Sequence, residues 1–196
     1  MLFRNKDAAE EEEEVENYEV TKVVGNEIFY YGDITPENIL DFTEKFRKLE
    51  SALLKMCADI VGYTPTIRIN IMSDGGDLFS GFTAMNLIQK ARVHVVTSAQ
   101  GACCSAATFM LLGGKERRIG KNAHILIHQL STGSFWGKFE EMKDEMRTAS
   151  KFMDMIKNTY MSHTKIPEKK LKKLLKRDIY LVPEECIKYA IVDGYD

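Results

Sequence analysis

The sequence lacks a long hydrophobic run and has no apolar stretch near its first residue. None of its runs approaches the roughly 20 consecutive apolar residues that a helix needs to span a bilayer. Charged residues follow residues 1–4 at once, so the pattern of a cleaved secretory signal is missing. We therefore expect a cytoplasmic protein that makes no use of a membrane.

Cysteine and histidine are scarce, with four of each in 196 residues. Cys103 and Cys104 are adjacent in an apolar stretch, and no spacing of cysteines and histidines matches a zinc site. Without a secretory signal, buried reduced thiols are more reasonable than a disulfide. The scarcity of both residue types therefore predicts a protein with neither a metal site nor a structural disulfide.

Neither sign of charge dominates, because 27 basic and 29 acidic residues leave a net charge of −2. That balance argues against a nucleic-acid-binding protein held by bulk positive charge. The basic run in residues 169–177 is interpreted as a solvated helix face, and the acidic run from Glu10 to Glu14 as part of a disordered arm over residues 1–19. Hydrophobic residues make up 44% of the chain, which suits a single globular domain over residues 20–196.

Short apolar segments alternate with helical patterns along the rest of the chain. The patterns predict strands at 27–31, 66–71, 93–97 and 123–127, with Gln100-Gly101 closing the third. Helices are predicted from Thr35-Pro36 onward, around residues 82–88, at 102–112 and 138–162, and after Pro167 and Pro183. This alternation is typical of an α/β domain with a mostly parallel sheet, whose sites gather beyond the carboxyl ends of the strands.

A candidate nucleophile, Ser105, follows a glycine turn near the start of the predicted helix of small residues. Free N–H groups at a helix start favour a developing oxyanion, so this placement suits acyl transfer. The alternative interpretation is a plain capping or buried serine. Gly75-Gly76 follows another predicted strand, and it is either a second oxyanion donor or an ordinary turn.

Two histidines compete for the role of base to Ser105. His128 ends the predicted strand 123–127, and His124 lies four residues earlier on the same face of that strand. Each could instead be structural. The acid that would orient the histidine is Asp178, Asp193 or Asp74, and spacing alone does not choose among the three.

Taken together, these segments resemble the Clp protease proteolytic subunit family, ClpP, from Glu27 to Tyr195. Residues 71–76, Ile-Met-Ser-Asp-Gly-Gly, are similar to the family's Ile-Asn-Ser-Pro-Gly-Gly, and residues 101–107 to its Gly-Gln-Ala-Ala-Ser-Met-Gly/Ala segment. Residues 127–129 match its Ile-His-Gln, and residues 177–193 resemble its C-terminal pattern. Among its departures from the family, the chain has Asp74 for proline, Cys103 and Cys104 for alanines, and Ala106 for methionine.

The resemblance implies a catalytic triad and an oxyanion hole in this chain. Ser105 is the implied nucleophile, His128 the base and Asp178 the acid that orients His128. The backbone N–H groups of Gly76 and Ala106 are the implied oxyanion donors. The function implied is that of a serine endopeptidase, which cleaves unfolded polypeptides or peptides inside a ring-shaped chamber through an acyl-enzyme.

The resemblance also implies a crotonase-like α/β superhelix with a protruding handle helix, which residues 138–162 resemble. Implied partners are further copies in heptameric rings, stacked in pairs, and an AAA+ unfoldase that uses ATP, whereas this subunit needs no cofactor. The alternative is a catalytically silent ring subunit that scaffolds or regulates an active paralogue; the acidic arm and Asp74 favour it, and the intact set of Ser105, His128 and Asp178 speaks against it. A crotonase-type acyl-CoA enzyme and a thiol peptidase using Cys104 are further alternatives.

Overall fold

The computed structural model describes residues 18–60, 62–133 and 135–196. The predicted acidic arm lies outside the described residues, except for Tyr18 and Glu19. Within these ranges, no helix combines the length and the apolar character needed to cross a bilayer.

In the described part of the chain, an eight-stranded sheet forms the centre of the fold, and six helices accompany it. The strands are β1 (Thr21–Val24), β2 (Glu27–Tyr31), β3 (Thr66–Ser73), β4 (His94–Cys104), β5 (Glu116–Ile119), β6 (His124–Leu126), β7 (Tyr180–Leu181) and β8 (Gly194–Tyr195). The helices are α1 (Pro36–Asp59), α2 (Leu78–Gln89), α3 (Ala107–Leu112), α4 (Phe139–His163), α5 (Glu168–Leu174) and α6 (Pro183–Lys188).

The sheet is mostly parallel, as the sequence predicts, and β4 is its longest strand. The main path runs β1-β2-β3-β4-β5-β8, and only the β1–β2 and β6–β7 pairs are antiparallel. β4 pairs with β5 over residues 96–99 and with β6 over residues 102–104. Because the second half of β4 leaves β5 for β6, the carboxyl end of β4 lies beside the carboxyl end of β6.

Helix α1 illustrates how the sequence builds the core. The Thr35 side chain caps the helix by accepting a hydrogen bond from the Asn38 N–H, and Pro36 occupies the first turn. Phe42 and Phe46 lie on its apolar face and are fully buried. Phe42 meets Tyr30 of β2 edge-on, with ring centroids 5.8 Å apart, so the helix is fixed against the sheet.

The predicted boundaries are wrong around the candidate nucleophile. Gln100-Gly101 does not end a strand, because β4 continues to Cys104, and the helix predicted at 102–112 is only α3, Ala107–Leu112. Small apolar residues fit a buried strand as well as a helix, and here pairing with β6 makes them a strand. Strands β1, β5 and β8 have no counterpart in the prediction.

The long helix predicted at 138–162 is confirmed as α4, Phe139–His163. Its second half packs on the body of the protein, with Ile156 and Tyr160 buried. Its first half is exposed, and so are the large apolar side chains there and just before it: Phe135, Trp136, Phe139, Met142 and Met146. These apolar side chains, the apolar stripe of α4, are therefore not covered by the residues that the structure describes.

Candidate active site

Ser105 occupies a sharp turn between β4 and α3. Its φ is 52°, which is the left-handed region that side chains other than glycine seldom adopt. The Ser105 N–H donates to the Leu126 carbonyl at 2.9 Å, and its carbonyl accepts from the Thr108 N–H at 3.0 Å. The Thr108 hydroxyl also donates to that carbonyl, at 2.6 Å. The turn is therefore held on both sides in a strained conformation of the kind found at functional positions.

The glycine loop after β3 lies directly against the serine turn. Gly75 has a φ of +101°, and a Cβ added to it would lie 2.7 Å from both the Cys104 carbonyl oxygen and the Ser105 Cβ. Gly76, with a φ of +144°, is packed equally tightly against the backbone of Ile34. The Ile34 N–H donates to the Gly75 carbonyl at 2.8 Å, which fixes the loop. Only glycine fits at these two positions.

Gly76 and Ala106 are the predicted oxyanion donors. Both residues line the same small cavity as Ser105. Neither N–H donates a hydrogen bond to another residue in the part of the chain that the structure describes. A site with two free backbone donors beside a hydroxyl can bind the oxyanion of an acyl-transfer intermediate.

His128 reaches this cavity, whereas His124 does not. His128 lies two residues beyond the end of β6 and lines the cavity of about 80 Å³ together with Ser105. His124 is exposed at the start of β6. The two histidines therefore do not share one strand, contrary to the sequence prediction, because β6 ends at Leu126.

Of the three candidate acids, Asp178 alone lies beside His128. Its carboxylate oxygen Oδ1 is 3.8 Å from His128 Nδ1, which is longer than a hydrogen bond. The Asp178 side chain is 79% exposed and the His128 side chain 23%. Asp193 instead accepts a hydrogen bond from the Arg117 N–H at 2.8 Å. Asp74 is exposed in the glycine loop and makes no ion pair with any described residue.

The cysteines are free thiols in an environment that disfavours the thiolate. Cys103, Cys104 and Cys186 are buried, and Cys57 is half-buried. Burial raises the pKa of Cys104 and outweighs the effect of a hydrogen bond to Tyr180, and the charge of Asp74 raises this pKa further. Because the thiolate is the nucleophilic form, Cys104 is a poor nucleophile and Ser105 the better candidate.

Sequence reasoning missed the residues that support the serine turn from behind. The hydroxyl of Thr108 contacts the hydroxyl of Tyr160 of α4 as well as Ser105. Phe109 stacks on Phe82 of α2, with centroids 4.3 Å apart, and also contacts Tyr160. A threonine three residues after Ser105 is a local signal that could have been recognised. The contact with Tyr160 spans 52 residues and leaves no such signal.

The described residues around the site include no set of side chains that could bind a metal ion. Among the described residues, no three histidine, cysteine or acidic side chains come close enough together to bind one. That this subunit works without a cofactor stays a prediction.

Comparisons with known proteins identify the family of this chain. The sequence model of the Clp protease family matches residues 34–194. The ATP-dependent Clp protease proteolytic subunit 2 of Treponema denticola is 33% identical over 151 residues, which are 76% of this chain and 74% of that protein. The ATP-dependent Clp protease proteolytic subunit of Deinococcus radiodurans is 30% identical over 129 residues, 65% of this chain and 63% of that protein, so this alignment spans less than two thirds of that relative.

A solved structure of a ClpP1 variant from Listeria monocytogenes has the same fold. It superposes with a TM-score of 0.74 over 88% of this chain and 91% of its own, at 22% sequence identity. The predicted fold class, a crotonase-like α/β fold of the ClpP type, is thereby confirmed.

Proposed function

This chain belongs to the Clp protease family, and we propose that it is a serine endopeptidase that cleaves unfolded polypeptides or peptides. In this proposal Ser105 is the nucleophile and His128 its base. Asp178 orients His128, and the N–H groups of Gly76 and Ala106 bind the oxyanion. The observation that carries the proposal is the single cavity that Ser105, His128, Gly76 and Ala106 line together.

The reaction follows from these positions. His128 takes the hydroxyl proton of Ser105 as the oxygen attacks the carbonyl carbon of the scissile bond. The tetrahedral intermediate carries its negative charge on an oxygen that accepts from the two backbone N–H groups. His128 then protonates the leaving amine, and the acyl-enzyme forms. Water, deprotonated by His128, hydrolyses the ester and restores Ser105.

The strained turn at Ser105 supports this assignment. Its backbone N–H and carbonyl are both engaged, so the turn cannot relax without breaking these bonds. A capping serine needs no such conformation, and α3 in any case has no side-chain cap. A turn that presents a hydroxyl to a cavity beside a histidine is the arrangement that acyl transfer requires.

Cleavage of an internally quenched peptide by the full chain tests the proposal. Ser105→Ala and His128→Gln are each expected to lower kcat/KM by at least about 10³-fold, as removal of a nucleophile or base does. His124→Gln is the matched control and is expected to retain activity, since His124 is exposed at the start of β6. Equal activity of the wild type and Ser105→Ala would refute the proposal.

One observation favours the second candidate, a catalytically silent ring subunit. Asp178 is exposed and does not form a hydrogen bond with His128 in this chain alone. A silent subunit would assemble normally, and its Ser105 would stay unlabelled by a fluorophosphonate even when a partner is present. The triad geometry does not exclude the peptidase, because catalytic hydrogen bonds often tighten only in the working complex.

The exposed face of α4 supports self-association into rings that stack in pairs. Trp136 is 92% exposed, and Phe139 and Met146 are each 70% exposed. Leaving a cluster of large apolar side chains in contact with water is unfavourable and is unusual on a protein without a partner. We propose that a second copy covers this apolar stripe.

The double substitution Met142→Lys with Met146→Lys is expected to lower the assembly mass in sedimentation velocity and to shift the Trp136 fluorescence to the red. An unchanged assembly mass would contradict the proposed association through this face of α4. An AAA+ unfoldase partner is part of the same proposal.

A further inference from the structure

We propose that the groove formed by Tyr18, Tyr31, Asp33, Met72 and Asp74, the acidic groove, binds a lysine or arginine side chain of the substrate. The inference rests on the proposed peptidase function and names its substrate class, namely basic segments of unfolded polypeptides. Asp74 is then the residue that sets this preference.

The acidic groove lies at the carboxyl ends of β2, β3 and the second half of β4. It has a volume of about 390 Å³, and Gly32, Ser73 and Ala102 complete its lining. Among the described residues, no lysine, arginine or histidine lines it. Lys45 of α1, which lines a separate pocket together with Tyr18, is bound to Glu19 and Asp41. A positive charge entering the groove therefore meets no competing cation on its walls.

Two kinds of group in the groove, carboxylates and aromatic rings, favour the binding of a cation. Asp33 and Asp74 are exposed carboxylates, and neither makes an ion pair with a residue that the structure describes. The phenol rings of Tyr18 and Tyr31 lie in the same groove, and an aromatic face attracts an ammonium or guanidinium group. The thioether of Met72 and the rings also provide apolar surface for the methylene stem of such a side chain.

The glycine loop links the groove to the proposed reaction centre, because Asp74 lines the groove and Gly76 lines the cavity of Ser105. Asp74 precedes Gly75, which packs against the Ser105 Cβ and the Cys104 carbonyl. Ser73, on its other side, pairs with Cys103 across β3 and β4. The charge of Asp74 also raises the pKa of the Tyr180 hydroxyl, after the larger contribution of Cys104, so its field extends across this end of the site.

The short separation between Asp74 and Ser105 suits a substrate that is bound close to Ser105. An extended peptide advances about 3.3 Å per residue. Because Asp74 is one residue from the glycine that touches Ser105, a side chain within a few residues of the scissile bond can reach the groove. The groove therefore binds side chains at substrate positions that flank the scissile bond. Other residues of the protein form the pocket for the residue at which the substrate is cleaved.

Binding to the non-cleaving Ser105→Ala full chain tests the inference apart from catalysis. Dye-labelled peptides that differ at one flanking position, with lysine, glutamine or glutamate there, are compared by fluorescence anisotropy. The lysine peptide is expected to bind about fivefold to tenfold more tightly than the glutamate peptide, with the difference shrinking in high salt. Asp74→Asn, and separately Asp33→Asn, should each lower this ratio about threefold.

The matched control is Asp154→Asn, which removes the same charge from an exposed position on α4 and should leave the ratio unchanged. Equal binding of the three peptides, no binding at all, or the same ratio in Asp74→Asn and Asp154→Asn would each overturn the inference. The same peptides are given to the wild-type chain for cleavage. If the wild-type chain cleaves the peptides without preferring lysine, the peptidase proposal stands and the proposed role of the groove is refuted. If the lysine peptide binds preferentially but no peptide is cleaved, the proposed role of the groove stands and the peptidase proposal is refuted.

Discussion

His128 and Asp178 face each other across the antiparallel pair of β6 and β7. The register pairs Ile125 with Leu181 and Leu126 with Tyr180. Continuing it by two residues places His128 opposite Asp178, and His128 Nδ1 lies 3.8 Å from Asp178 Oδ1. Ser105 is tied to the same element, because its N–H donates to the Leu126 carbonyl. One short strand thus sets the relative positions of all three proposed triad residues.

Replacing Asp178 should slow the reaction without unfolding the protein. Asp178→Asn is expected to lower kcat by between about tenfold and about 10⁴-fold, the upper limit applying to a buried, hydrogen-bonded acid. The exposed position of Asp178 favours the lower part of that range. Asp193→Asn is the control, since Asp193 accepts from the Arg117 N–H and does not contact His128. Equal kcat values for the two variants in steady-state peptide hydrolysis would contradict the assigned role.

The glycine loop should tolerate no side chain next to Ser105. In Gly75→Ala the new Cβ would lie 2.7 Å from the Ser105 Cβ, so either the loop or the serine turn must move. We expect loss of peptide cleavage by at least about 10²-fold, since displacement of an oxyanion donor alone costs that much.

Gly133→Ala is the matched control for this loop. A Cβ at Gly133 meets no atom within 4 Å, and its backbone is outside the left-handed region. It should retain activity, with circular dichroism confirming that both variants are folded. An active Gly75→Ala would show that the loop is not part of the reaction site.

The fold was predictable from the sequence where local signals and periodicity agree. Thr35, Pro36 and the buried phenylalanines specify α1 together, and the alternating residues of β3 specify a strand. In contrast, β5 has the sequence Glu-Arg-Arg-Ile, which gives no strand signal. Its polar side chains are accommodated by remote partners, such as the His163 carbonyl that accepts from Arg117 at 2.8 Å.

The candidate site was predictable only in part, for the same reason. The residues next to Ser105 and His128 carry local patterns, whereas the choice of Asp178 over Asp193 depends on the β6–β7 register. That register joins segments more than 50 residues apart, and spacing in one sequence does not encode it. The strained φ of Ser105 was also invisible, because the small residues before it suit a helix and a buried strand alike.

A buried carboxylate makes the stability of the fold depend on pH. Glu50 of α1 is fully buried, accepting from the Arg92 N–H at 2.7 Å and from the Arg47 guanidinium at 2.9 Å. Burial alone would raise the pKa of Glu50, but the Arg92 N–H and the Arg47 guanidinium outweigh it, so the pKa is lowered. Its contribution to stability is therefore complete above the unfolded-state pKa of about 4.3 and is lost as the pH falls through the lower folded-state value.

Chemical denaturation at several pH values measures this contribution. At pH 7, Glu50→Gln is expected to lower the free energy of unfolding by about 2 kcal/mol, as loss of hydrogen bonds to a charged group does. The difference from the wild type should shrink progressively below about pH 4.3. Glu44→Gln removes an exposed partner of Lys48 and should cost less than about 1 kcal/mol at any pH. A pH-independent difference for Glu50→Gln would contradict the assignment.

The most direct test of the central claim is the site of covalent labelling by a fluorophosphonate, mapped by mass spectrometry after proteolysis of the full chain. The account predicts one adduct, on Ser105, which disappears in Ser105→Ala and persists in Cys104→Ala. An adduct on another residue, or a folded wild-type protein that stays unlabelled while a known serine peptidase reacts beside it, would contradict the account.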